Sequence, residues 1–141
     1  MPSRIWKWAW AGALAALLAA CAAPPRPPLE VNAFGVHVAA EHNGSAITLE
    51  PGQALVVHLS TNVSQNQEWS LVDFVPGVLT GPSAPTFERE ARSSNFSEAS
   101  GAAVWRFMPA AAGTVTLRFD YRNPRALEPA SRTVNYTVTV R

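Results

Sequence analysis

The chain has 141 residues, a formal charge of +1 at neutral pH and a single cysteine. That length holds one domain with a real core and no second one of comfortable size. One cysteine excludes an intrachain disulfide, and a near-neutral charge excludes the basic footprint that nucleic acid requires.

Arg4 and Lys7 open the chain as a short basic segment, residues 9–20 form an apolar one, and Leu18-Ala19-Ala20-Cys21 closes it. This is the organisation of a secretory signal peptide. The apolar run falls short of the roughly 20 residues that a membrane span needs. The closing tetrapeptide resembles the bacterial lipoprotein signal, which ends Leu-Ala-Ala/Gly-Cys. The resemblance implies a signal peptide over residues 1–20, diacylglycerol on the Cys21 sulfur, cleavage before Cys21 and acylation of its new amine. Ala22 matches the pattern that lets lipoproteins pass to an outer membrane. The expected location is therefore the bacterial cell envelope, at the outer membrane facing the periplasm. Without Arg4 and Lys7 the 11 basic residues become 9, all arginine, against 10 acidic ones. A lipidated sulfur is also lost to nucleophilic and metal chemistry, so the mature fold must stand on packing and backbone pairing.

Residues 21–30 read as a linker, with four prolines among residues 22–28. Such a segment favours an extended polyproline conformation, a spacer of roughly 20 Å at about 3 Å per residue. The domain itself is expected over residues 31–141, and no helix is evident there. Val36-His37-Val38 is a first strand, and Asn43-Gly44 is a strong hairpin signal. Residues 46–49 follow, then Pro51-Gly52, a good central pair for a type II turn. Leu55, Val57 and Leu59 share one strand face, with His58 on the other. Residues 62–67, polar except for Val63, interrupt the pattern before a strand over residues 69–74, in which Trp69 is a candidate central core aromatic.

Pro76-Gly77 turns the chain, and residues 78–80 are a weak strand. Residues 87–92 fit a strand or one helical turn, and residues 93–101 read as a long exposed loop. Trp105 and Phe107 then share a face opposite Arg106. Val115, Leu117, Phe119 and Tyr121 alternate strictly with polar partners, as do Val134, Tyr136, Val138 and Val140. Period-two alternation of this length means half-buried antiparallel strands. Seven or eight short strands with turn signals between them predict an all-β, immunoglobulin-like antiparallel β-sandwich.

From residue 46 to the end, the order of features resembles the chagasin-like inhibitors of papain-family cysteine peptidases. The shared features are Leu49-Glu50-Pro51-Gly52, the strand ending in Leu59, and Asn62 and Trp69 bounding a loop. Trp105-Arg106-Phe107, Ala111-Ala112-Gly113-Thr114, Tyr121-Arg122 with Pro124, and the closing Thr/Val strand complete the match. The resemblance implies an immunoglobulin-like sandwich that inserts three loops from one end as a wedge into a peptidase cleft and performs no chemistry. The first loop is Asn62-Val63-Ser64-Gln65-Asn66 with Gln67, where the family has Asn-Pro-Thr-Thr-Gly. Asn66 is the best non-glycine residue for a positive φ there. The second is Glu98-Ala99-Ser100-Gly101, where the family has Gly-x-Gly-Gly. The third is Asn123-Pro124-Arg125, preceded by Arg122, where the family has Arg-Pro-Trp. The implied partner is a papain-family cysteine peptidase, met by a monomer. The alternative is an envelope lipoprotein of the same fold whose loops have diverged toward another protein partner.

Other chemistry finds little footing. His37 and His42 on one strand would face opposite sides, so the histidines read as exposed strand and turn residues and no metal site is expected. Glu88 and Glu90 interleave with Arg89 and Arg92 as a charged edge, which discourages sheet-to-sheet aggregation. Asp120 alternates outward, and Asp73 occupies a strand position on an undecided side. Trp105 and Phe107 read as core rather than as a ligand platform. No nucleophile elbow or phosphate loop occurs, so neither an enzyme nor a cofactor is expected.

Overall fold

The computed structural model describes residues 23–89 and 100–141. They form β1 (Glu30–Asn32), β2 (Gly35–Ala39), β3 (Ala46–Leu49), β4 (Ala54–Asn62), β5 (Glu68–Val72), β6 (Leu79–Thr80), β7 (Thr86–Arg89), β8 (Ser100–Pro109), β9 (Gly113–Arg122) and β10 (Arg132–Val140). Short 3-10 turns follow β2 and β4. The architecture is the expected immunoglobulin-like sandwich, with ten strands because β1 is too short to read from periodicity and the segment left between strand and helical turn forms β7. The expected signal peptide and Cys21 lie outside the described residues.

One sheet runs β1-β2-β4-β8, and β6 and β7 pair with different stretches of β8 along its far edge. The other sheet runs β3-β10-β9-β5. The sandwich is not wholly antiparallel, because β2 pairs β4 and β3 pairs β10 in parallel. The chain leaves the first sheet after β2, adds β3 to the second, and returns as β4. Two changes of sheet bring it back in its original direction, and a parallel pair results.

That crossing corrects the expectation at Asn43-Gly44. The dipeptide makes a turn, with Gly44 at φ 77° and the Ser45 N–H donating to the His42 carbonyl at 3.0 Å. Asn43 has φ −50° and ψ 131°, so the turn is type II. The two-residue hairpin turns need positive φ at the first central residue, which Asn43 lacks; this turn joins two sheets instead. Its groups pair with β10: the Asn135 N–H donates to Asn43 Oδ1 at 2.8 Å, and the Gly44 N–H donates to the Asn135 carbonyl at 2.7 Å. Pro51-Gly52 is the expected type II turn, with Gly52 at φ 83° and the Gln53 N–H donating to the Glu50 carbonyl.

The core lies between the sheets and follows the alternation. Val36, Val38, Leu55, Val57, Leu59, Trp105 and Phe107 face Ile47, Leu49, Leu117, Phe119, Val134, Tyr136 and Val138. Trp105 is the central aromatic, wholly buried with its ring 4.7 Å from that of Phe119, so core packing is its role. The buried Tyr136 hydroxyl donates to the Ala39 carbonyl at 2.7 Å and ties the second sheet to the end of β2. Burial raises its pKa well above the usual tyrosine value.

The linker is held more closely than a free spacer. Arg26 donates to the Gly44 carbonyl at 3.3 Å, and Leu29 packs on the core. His42 is buried, which corrects the expectation of an exposed turn histidine. Its Nδ1 accepts from the Ala39 N–H at 2.9 Å, and Nε2 donates to the Pro28 carbonyl at 3.2 Å. A buried imidazole must satisfy both nitrogens, and this one does so by clamping the linker to the turn after β2.

Candidate functional site

Strand register decides where the loops lie. Asn62 at the end of β4 pairs with Ser100 at the start of β8. Glu68 at the start of β5 pairs with Arg122 at the end of β9, and Tyr121 pairs with Arg132 at the start of β10. The three strand breaks therefore meet at one pole. Of the second loop, Glu98 and Ala99 lie outside the described residues.

The first loop holds itself in shape. Asn62 Oδ1 accepts from the Ser64 N–H at 3.0 Å and from the Ser64 hydroxyl, capping the 3-10 turn Val63–Gln65. Asn66 then takes φ 51° and ψ 30°, the left-handed conformation expected of it. Ser64, Gln65 and Asn66 are left exposed. Beneath them lies Trp69, a floor for the loop rather than the centre of the core. It is 4% exposed, donates from Nε1 to the Ser60 carbonyl at 3.0 Å, and stands 4.9 Å from the Tyr121 ring. The Arg132 guanidinium sits 5.9 Å from the Trp69 ring centroid, in cation–π range.

The third loop is a different construction. Asn123 Oδ1 accepts from the Arg125 N–H at 3.0 Å, and the Asn123 carbonyl accepts from the Ala126 N–H at 3.2 Å. Pro124 thus occupies the first central position of a tight turn, where its fixed φ fits. The far end is tied down by Ser131, whose N–H and hydroxyl both donate to the Tyr121 carbonyl. The single hydroxyl proton is shared with Gln67 Oε1 at 3.1 Å, and the three-centre bond joins the third loop to the first. Arg122, Pro124 and Arg125 are exposed, and Asn123 is half-buried.

Gly101 requires a correction, because it is no loop tip. It is a buried residue of β8, paired with Thr61 and Arg89. A Cβ there would come within 2.5 Å of the Phe87 ring and 2.6 Å of the Glu88 carbonyl. Close packing of β7 on β8 explains this glycine. Ser100 beside it is half-buried.

Between the loops lies a recess of about 330 Å³, lined by Thr61, Asn62, Gln65, Trp69, Ser100 and Arg132. A wider groove of about 790 Å³ continues from Asn66 and Gln67 past Pro85 and Phe87 to Pro124 and Arg125. Trp69, Tyr121, Arg132 and Ser131 were missed as site residues by sequence reasoning. Trp69 and Tyr121 read there as scaffold. Nothing local marks Ser131, whose partner Gln67 is 64 residues away.

The remaining candidates resolve as structure. Asp120 alternates outward as expected, yet it is buried on that outer face. Burial raises its pKa, but hydrogen bonds from Arg118 at 3.1 and 3.2 Å and Thr133 at 2.8 Å outweigh that and hold it below the usual aspartate value. Asp73 lies past the end of β5, exposed, at φ 56°. Glu88 sits on edge strand β7 and faces Arg106 at 3.8 Å; Glu90 and Arg92 lie outside the described residues. His37 and His58 stack on the outer face of the first sheet with centroids 5.8 Å apart. Burial lowers the His58 pKa, helped by His37 and Arg106 and opposed by Glu88 and Glu30.

These features can be set beside known proteins. The model of the chagasin family peptidase inhibitor I42 matches residues 48–140. No curated protein matches in sequence. Among solved structures, the cysteine protease inhibitor EhICP2 from Entamoeba histolytica is similar at a TM-score of 0.67 and 18% identity, covering 74% of this chain and 94% of that one. Amebosin is similar at a TM-score of 0.60 and 20% identity, covering 74% and 96%. At such identities the two structures speak for the fold.

Proposed function

Since the chain belongs to the chagasin family of peptidase inhibitors, we propose that it is a lipid-anchored inhibitor of papain-like cysteine peptidases. Its loops act as a wedge. Residues 62–67 occupy the centre of the cleft, with Ser100 and the residues before it on one side and residues 122–125 on the other. No bond is made or broken by the inhibitor. The observation that carries this reading is the convergence of three loop ends at one pole, the first of them locked by Asn62 and Asn66. A loop already ordered loses little conformational freedom on docking, so more of its contact energy remains as affinity.

The deciding experiment titrates papain-type peptidases with the chain lacking residues 1–21. Stoichiometric loss of peptidase activity is expected. No slowing at micromolar inhibitor refutes the reading. Exchanging residues 62–66 for Asn-Pro-Thr-Thr-Gly sharpens it, because inhibition gained only after the exchange means that the native loops serve another partner.

The anchor is the second part of the proposal. Residues 1–20 act as the signal peptide, and Cys21 carries the lipid that holds the domain at the outer membrane, facing the periplasm. With Arg26 and Pro28 bound to the domain, the tether is the five residue steps from Cys21 to Arg26. At about 3 Å per residue it reaches roughly 15 Å. Mass spectrometry of the mature N-terminus should find an acylated Cys21, and Cys21→Ser should release the protein from membranes.

A further inference from the structure

We propose that Leu127 is the apolar anchor of the inhibitory pole, the side chain that enters an apolar recess beside the cleft of the bound peptidase and selects for peptidases that have one. The inference rests on the inhibitory reading above and adds the chemistry of the partner's surface.

Leu127 has a relative exposure of 107%, the highest of the large apolar side chains in the described residues. Of the other exposed large apolar side chains, Phe87 lines the groove at this pole but is only 42% exposed and lies against Gly101, whereas Phe34 and Met108 lie elsewhere. Phe34 is in the turn before Gly35, which pairs with Ala54 at the start of β4, and Met108 pairs with Thr80 near the end of β8. Both are at the end of the sandwich away from the loops. A single exposed leucine is ordinary on a protein surface. This one stands midway along a segment closed at both ends by specific bonds, the Asn123 turn before it and the Ser131 staple after it. Pro124 and Pro129 restrict the backbone on either side. These closures fix where the segment leaves and rejoins the sheet, and Leu127 lies between them with its side chain fully exposed.

The rest of the pole makes an anchor necessary. Ser64, Gln65 and Asn66, which the first loop exposes, are polar and supply hydrogen bonds. Hydrogen bonds to a partner largely replace those to water and return little net affinity. Interfaces draw most of their affinity from a few side chains that become fully desolvated in a pocket. Trp69 cannot serve, because it is already buried under the first loop. Leu127 is the fully exposed large apolar side chain at this pole among the described residues.

The test measures inhibition constants and dissociation rates against a papain-type peptidase that the unaltered chain inhibits. Leu127→Ala should weaken inhibition roughly 10- to 100-fold, mostly through faster dissociation. Leu127→Asp should weaken it further, and Leu127→Met should stay within about threefold. Thermal stability should not move in any of the three, since the side chain is fully exposed. Inhibition by the unaltered chain with Leu127→Ala within twofold of it overturns the anchor and leaves the inhibitory reading standing. Absence of inhibition by the unaltered chain at micromolar concentration overturns both.

Discussion

The first and third loops meet at one pole but reach order by opposite routes. Residues 62–67 are short and, Val63 apart, polar; they are bonded within themselves through Asn62 and Ser64 and turned by the left-handed Asn66. Residues 123–131 are longer and are fixed only at their two ends, by the Asn123 turn and by Ser131. The first loop is ordered by local geometry, the third by a contact with the first. A short segment can satisfy its own polar groups, whereas a longer one must borrow partners to offset the entropy of ordering.

The largest expected effect tests what the first loop rests on. Trp69→Ala removes its buried floor and should cost about 3–5 kcal/mol in denaturant unfolding. If the loss is under about 1 kcal/mol, the first loop does not depend on that support. Next is the internal lock. Asn66→Val places a β-branched residue at φ 51° and should cost about 1–2 kcal/mol, while Asn66→Gly should be close to neutral. Equal losses from both would mean that the Asn66 side chain matters and its backbone conformation does not.

The staple between the loops is smaller. A double-mutant cycle of Gln67→Ala and Ser131→Ala should return a coupling of about 0.5–1 kcal/mol. A coupling of zero separates the loops and removes the contrast drawn above. The smallest effect is a difference in pH response. His58 lies on β4, which leads into the first loop, and its folded pKa is lowered, so its contribution is complete above about 6.5 and is lost as pH falls through the lower folded value. Asp120 lies on β9, which leads into the third loop. Its pKa is also lowered, so its contribution is complete above about 3.9 and is lost only under stronger acid. Amide exchange measured against pH should therefore loosen β4 before β9, and the reverse order would refute the assignment.

Much of this was legible from local patterns. The alternation in residues 115–121 and 134–140 marked which side chains enter the core, and all of the second set are buried. Pro51-Gly52 and Asn66 were readable because a turn or a positive φ is a property of a few adjacent residues. Asn43-Gly44 shows the limit of such reading. Its tendency to turn was plain, but whether the turn closes a hairpin depends on where the next strand finds a partner, and that partner is β10. Gly101 looked like part of a loop because the packing of Phe87 against it has no local signature. His42 and Asp120 looked exposed for the same reason: Pro28 lies 14 residues from the one, and Thr133 lies 13 from the other.

Strand identity, the inward faces and the shape of the first loop were thus contained in the sequence, because sterics and period-two alternation act between near neighbours. The pairing of strands, the burial of Trp69, Asp120 and His42, and the bond from Ser131 to Gln67 were decided by the tertiary structure. Each depends on groups that only the closing of the two sheets brings together, and no local preference encodes a partner that far along the chain.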